Sequence, residues 1–444
     1  VSQPTTSGQD EVVDLCRDLL RMDTSNFGDG SGPGERAAAE HVMGLLHEVG
    51  LQPELVESQP GRASVLVRVE GDAEGTRERG ALLVHGHLDV VPADASDWQV
   101  DPFAGELRDE CLWGRGAVDM KDMDAMMLAV LRDLARSGRT PPRDLVFGFF
   151  ADEEAGGVHG SHWVVDHRRD LLDGVTEAIS EVGGYSVTLQ GRDGDPVRAY
   201  LLQTAEKGIA WLRLVAHGRA GHGSQIATDN AVARLGAAVG RIGSHTWPIE
   251  ITPTVREFLD GVTEITGVEF DPVHPDRVLQ RLGTVARFVG ATFQDTANPT
   301  MLKAGYKHNV VPQIAEAFVD CRFLPGHEDT LMETIRELAG PGVDVEVHHR
   351  DTSLETTFDG RLVDAMVSAL QVEDPGAPVL PYCLSGGTDN KALSRIGVRG
   401  FGFAPLQLPP DLDFPAMFHG VDERVPVSAL TFGTRVLDRL LRTC

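Results

Sequence analysis

Five stretches of this chain place acids or histidines where an apolar run stops. "ALLVHGHLDVVP" (81–92) carries His85, His87 and Asp89, and "DLVFGFFADEE" leads straight to Asp152, Glu153 and Glu154. "EAIS" runs into Glu181, "LWGRGAVDMK" supplies Asp119, and "FPAMFHGVDE" supplies His419. Singly, each has an ordinary explanation: a structural histidine, a helix-capping acid, a solvated charge run. Together they do not. Glu153 and Glu154 follow "FGFF", where the chain should still be near the core, and several buried carboxylates without a cation cost many kcal/mol. Divalent ions resolve that conflict. Two histidines with three or four carboxylates suit a pair of zinc-like ions, with one shared carboxylate bridging ions about 3.5–4 Å apart. The chemistry such a centre supports is hydrolysis by an activated water.

The elements that must position these groups alternate in type. Short apolar runs ("SVLVRV", "ALLV", "DLVFGFF", "EAIS") alternate with helical patterns such as "ERAAAEHVMGLLHEVG" and "VDMKDMDAMMLAVLRDLARSG". That order predicts an α/β fold with a mostly parallel sheet between helices, and reactive groups gather at the carboxyl ends of such strands. Around residue 204 the style changes. "KGIAWLRLVAHG" and "IAEAFVDCRF" alternate as half-exposed antiparallel strands, with helices "NAVARLGAAVGRIGS" and "EDTLMETIRELAG" beside them. From about 353 the first style returns. The expected organisation is a catalytic domain in two parts, 1–203 and 353–444, interrupted by an inserted α+β domain over 204–352.

A chain of 444 residues is too long for one core. The net charge of −27 argues against nucleic acid and against an anionic membrane surface. Five scattered cysteines without a CxxC pair suit reduced thiols. The polar start "VSQPTTSGQD" lacks a signal peptide's apolar core and no run approaches a membrane span, so the expected location is cytoplasmic.

Two other HxH or HxHxD chemistries are poorer matches. Metallo-β-lactamase-like hydrolases have a further histidine where Val90 stands, and a TIM-barrel amidohydrolase needs eight similar βα units. Neither uses the Glu153–Glu154 pair. The ordered motifs "HGHLDVVP", "LWGRGAVDMK", "ADEEAGG", "SEVGG", "GRAGHGS", "NVVP", "CRFLPG", "SGGTD" and "FHG" resemble the M20 family of dinuclear zinc peptidases and amidohydrolases over nearly the whole length. The resemblance implies that His87 and Glu181 hold one zinc, that Glu154 and His419 hold the second, and that Asp119 bridges them. Manganese or cobalt could occupy the same ligands. It further implies Glu153 as general base and Asp89 as the acid steadying His87; His85 has no counterpart and reads as structural. In the insert, which corresponds to the family's lid and dimerisation domain, it implies that His222 steadies the oxyanion in a partner subunit's site, hence a homodimer. Asn309, Arg322, Gly387 and Thr388 are implied substrate contacts, with Arg322 suited to clamping a carboxylate.

The implied substrate is a dipeptide or the C-terminal residue of a short peptide, with an N-acyl amino acid as the alternative. A serine hydrolase is disfavoured because Ser224 and Ser385 fit no GxSxG elbow. A non-catalytic relic is disfavoured because every ligand and base position is filled.

Overall fold

Runs that are apolar without alternation can be strands only where both faces of a sheet are covered. Ala81–His87 and Leu145–Phe150 are such runs, and both are buried along their whole length. The computed structural model describes residues 8–444, so the first seven residues of the polar amino-terminal stretch lie outside the described residues. In its ten-stranded sheet, Ala81–His87 lies between Leu145–Phe150 and Val175–Ser180 and parallel to both. Arg399–Gly402 extends the parallel block beyond Val175–Ser180. Arg62–Val69 adds antiparallel on one side, and Pro196–Glu206 meets Arg399–Gly402 on the other, with Val379–Leu384 parallel beside it.

The side chains of the central strands divide by period two. Leu82, Val84, Phe147 and Phe149 enter the larger core with helices Gly8–Leu20, Lys121–Ser137 and Val427–Leu441. Leu83, Val146 and Phe150 face the opposite layer, where Val164 and Ala392 cover them. This is the expected sheet between two helical layers.

A second, four-stranded antiparallel sheet runs in the order Thr296–Ala304, Ile314–Phe323, Gly208–His217, Val343–Asp351. One face packs on helices Ala231–Gly243 and Glu328–Ala339 through Leu212, Leu214, Leu235, Leu331 and Ile335. The alternation read from "IAEAFVDCRF" holds residue by residue: Ala315, Ala317, Val319, Cys321 and Phe323 are the buried set.

The stretch 204–352 is not one piece, however. Helix Pro253–Thr266 packs in the larger core through Val255, Phe258, Leu259 and Val262, and Val285 and Phe293 follow it there. An amphipathic pattern states that a face is buried and is silent on which core receives it. The chain therefore crosses between the two cores at 206–208, at 247–253, at 293–296 and at 351–354. Buried lysines tie three of these crossings. Lys391 donates to the carbonyls of Lys207 (2.7 Å) and Thr352 (2.6 Å), and Lys207 donates to those of Ala291 (3.0 Å) and Gln294 (2.8 Å).

All five cysteines are unpaired. Among the described residues no helix is long and apolar enough to cross a membrane.

Candidate metal centre

Three adjacent parallel strands end on the same edge of the sheet. His87 stands in register with Phe150, two residues before Asp152, and Ser180 closes the third strand just before Glu181. Strand pairing alone thus gathers His87, Glu153, Glu154 and Glu181. Asp119 comes from the loop entering helix Lys121–Ser137, across a cis Asp119–Met120 peptide, and His419 comes from a carboxyl-terminal loop at φ 57°. Gly86, between the two histidines of "HGH", is closely packed: a Cβ there would lie 2.5 Å from Asp124 Oδ1 and 2.6 Å from Met120 Cε, so these buried side chains would have to shift.

Asp119 turns one oxygen to each histidine. Its Oδ1 is 3.2 Å from His87 Nε2, and its Oδ2 is 3.3 Å from His419 Nε2. Glu181 and Glu153 approach His87 Nε2 at 3.6 and 3.8 Å, and Glu154 approaches His419 Nε2 at 3.0 Å. Ligand atoms of His87, Asp119 and Glu154 all lie within 4.8 Å of one another, as do those of His87, Glu153 and Glu181. His87 Nδ1 faces the carbonyl of Asp89 at 3.0 Å, with the Asp89 carboxylate farther off at 3.6 Å. That contact leaves Nε2 directed at the acids.

Charge balance tests whether ions fit here. Among the described residues, the ion pairs of Asp119, Glu153, Glu154 and Glu181 are with the two histidines and none is with lysine or arginine. Burial pushes Glu181 up to about 8 and also raises Glu153 and Glu154, with neighbouring carboxylates adding to the rise. Hydrogen bonds to Asp119 and Glu154 lift His419 to about 10. Burial opposes charge on Asp119 too, but hydrogen bonds from His419 and His87 outweigh it and hold that carboxyl low. A donor set of two imidazoles and four carboxylates, all but His419 in burial, is what divalent ions take.

Sequence reasoning missed one acid that holds the Asp119 loop. Glu423 is fully buried and accepts from Arg115 Nη1 (2.8 Å) and from the backbone N–H groups of Gly116 (2.9 Å), Val118 (2.7 Å) and Asp119 (3.1 Å). Its partners lie some three hundred residues away, so no local pattern signals it. Glu423→Ala is expected to destabilise the fold by about 3–5 kcal/mol, because a buried guanidinium loses its partner. Urea unfolding at fixed metal concentration measures this; a change under about 1 kcal/mol contradicts it. Burial pushes His85 down to about 4, which favours the neutral ring, and its Nε2 lies 3.1 Å from Asn390 Oδ1.

A cleft of about 310 Å³ opens over the acids, walled by Ile209, Trp211, Phe288 and Phe418 and carrying Arg322 and Asp389. Arg322 is already held by Asp320, Nε to Oδ1 at 2.7 Å and Nη2 to Oδ2 at 3.1 Å. Gly387 and Thr388 line the cleft, but the Thr388 N–H and hydroxyl donate to Glu206 at 3.1 and 2.6 Å. That hydroxyl is engaged with the protein itself. His222 and Asn309 are exposed and do not line the cleft. They sit together on a short ladder where the Gly223 N–H donates to the Asn309 carbonyl at 2.9 Å.

Comparison with known proteins identifies the family. The model of "Peptidase family M20/M25/M40" matches residues 83–443. The chain is 26% identical to aminoacylase-1 of Sus scrofa, over 98% of this chain and 95% of that protein. Among solved structures, the M20 metallo-carboxypeptidase Sso-CP2 of Sulfolobus solfataricus superposes with TM-score 0.72 at 18% identity, covering 98% of this chain and 99% of that one. Human carnosine dipeptidase 1 gives TM-score 0.68 at 16% identity, with 98% and 96% covered. The two structures share the fold, and the family match spans most of the chain. Acids at three parallel strand ends, a carboxylate between two histidines and this match together make the chain a member of peptidase family M20/M25/M40 and, by family, a hydrolase.

Proposed function

We propose that this protein hydrolyses an amide bond in a small substrate carrying a free carboxylate, with Glu153 as general base at a pair of divalent metal ions. The observation that carries the reading is Asp119, whose two oxygens face two histidines within a group of acids that, among the described residues, form no ion pair with lysine or arginine. His87, Asp119 and Glu181 would hold one ion and Glu154, His419 and Asp119 the other, with zinc the default metal. Ions bound there lower the pKa of water and polarise a carbonyl. Glu153, raised by burial and by Glu181, is suited to take a proton from the attacking water and return it to the leaving nitrogen. Arg322 meets the substrate carboxylate by exchanging Asp320 for it. His222 and Asn309 act from a second copy in a homodimer formed through the smaller domain.

A dipeptide or peptide C-terminus is supported by Asp389. It is an acid on the cleft wall with no lysine or arginine ion pair among the described residues; its Oδ1 accepts from Ser161 Oγ at 2.5 Å, and its charge supports recognition of a substrate ammonium. The aromatic wall of Trp211, Phe288 and Phe418, and the likeness to aminoacylase-1, support an N-acyl amino acid instead. Matched panels of dipeptides and N-acyl amino acids, assayed with zinc, manganese and cobalt, separate the two. Hydrolysis in neither panel under any metal refutes the proposal.

A further inference from the structure

We propose that Arg62 and Asn26 are positioning residues for Glu153, acting through the carboxylate of Asp89. The inference rests on the reading of Glu153 as general base.

The segment carrying Glu153 and Glu154 is a single 3-10 turn, Glu153–Ala155, entered from Asp152 at φ 68°. The first N–H groups of such a turn have no partner within it. The Asp89 carboxylate supplies one to each: Oδ1 accepts the Glu153 N–H at 3.0 Å and Oδ2 the Glu154 N–H at 3.1 Å. Its grip on that backbone is closer than its 3.6 Å approach to the His87 ring. Where Asp89 points therefore sets where Glu153 stands.

Asp89 is itself held from outside the strand. Asn26 Nδ2 donates to Asp89 Oδ2 at 2.9 Å and to Asp152 Oδ1 at 3.1 Å, giving one proton to each of two buried carboxylates. A carboxamide has one oxygen and two N–H donors, so its orientation decides whether those acids are satisfied or opposed. Arg62 Nη2 donates to Asn26 Oδ1 at 2.9 Å and the Gly28 N–H does so at 3.0 Å. A flipped amide would face its oxygen to two carboxylates and its NH2 to a guanidinium. Arg62 is buried and ion-paired with Glu35, so its guanidinium is fixed as well. The chain of control runs from Arg62 to Asn26, to Asp89, to the turn. Misplacing a reacting group by about 1 Å can cost on the order of 100-fold in rate.

The test compares Asn26→Leu, Arg62→Met and Arg62→Lys with the wild-type chain. Each is assayed for kcat and KM, for bound metal by elemental analysis, and for hydrogen exchange of the peptide spanning 151–157 in metal-free protein. Asn26→Leu and Arg62→Met are expected to lower kcat about 10- to 100-fold with KM within about 3-fold. Exchange at Glu153 and Glu154 should quicken, and kcat should fall at saturating metal; because Asp89 Oδ2 also holds the Glu154 N–H, a fall in kcat that saturating metal fully reverses overturns the role assigned through Glu153. Arg62→Lys keeps the charge beside Glu35, and therefore the fold, but cannot fork to Asn26; an intermediate kcat is expected. The proposal is overturned if exchange in this turn matches wild type, if kcat is unchanged, or if Arg62→Lys loses as much as Arg62→Met. A metal-loaded wild type that cleaves no amide defeats the proposed function instead; the exchange comparison then decides this inference by itself.

Discussion

On the proposed reading, Glu153→Gln is expected to bind as much metal per chain as the wild type while kcat falls by about 10²–10⁴-fold. The substitution keeps the side-chain shape and leaves the Glu153 N–H on Asp89 Oδ1, so the turn stays in place. What it removes is the one group beside His87 that the proposed reading uses to carry a proton rather than to hold an ion. Burial, then Glu181, raises the Glu153 carboxyl well above the ordinary range, which is the direction a base working near neutral pH requires. Steady-state kinetics with parallel metal analysis decides the matter. Full turnover in the variant would remove Glu153 from the mechanism, and lost metal would make it a ligand.

Removing the metal should have an equally large effect. On the proposed reading Asp119 serves both ions, so Asp119→Ala is expected to lose at least one ion per chain and more than about 10³-fold in activity. Chelation of the wild type should abolish turnover, with zinc, manganese or cobalt restoring it. Chelation should also lower stability, since an ion at a thousand times its Kd contributes about 4 kcal/mol. The sign of the proton balance follows from the ion-free charges. Glu181 sits at about 8, raised by burial, and His419 at about 10, raised by its bonds to Asp119 and Glu154. Both must shed a proton to ligate, so metal loading at pH 7 releases protons and affinity climbs as pH rises through that range. Calorimetric titration in two buffers of different ionisation enthalpy reads the proton count. Zero release is the outcome that contradicts the assignment.

Much of this centre was legible in one dimension because strand pairing does the gathering. Once Ala81–His87, Leu145–Phe150 and Val175–Ser180 are parallel neighbours, the residues just past their ends must meet. Asp119 and His419 could be named as candidates, but only the resemblance gave them partners, since neither loop follows a strand whose position the pattern fixes. Glu423, Asn26 and Arg62 were not legible. Each is a polar residue in an ordinary loop or strand, and its buried role depends on partners far away in the chain. Thr388 shows the opposite limit. It lines the cleft, but Glu206 takes its hydroxyl through tertiary contact that no motif records. Helix Pro253–Thr266 lies inside the 204–352 stretch read as an insert, yet it packs in the larger core, again through contacts that no local pattern records.

That helix limits how the chain could be cut down. A minimal version built on the larger core cannot be made by excising 204–352 as one cassette, because the excision would strip Val255, Phe258 and Val262 from the fold that remains. Two separate pieces must go, with 253–293 kept between them. Lys391 would then lose a carbonyl it now grips on each side of the removed strands, so each new splice needs a replacement acceptor.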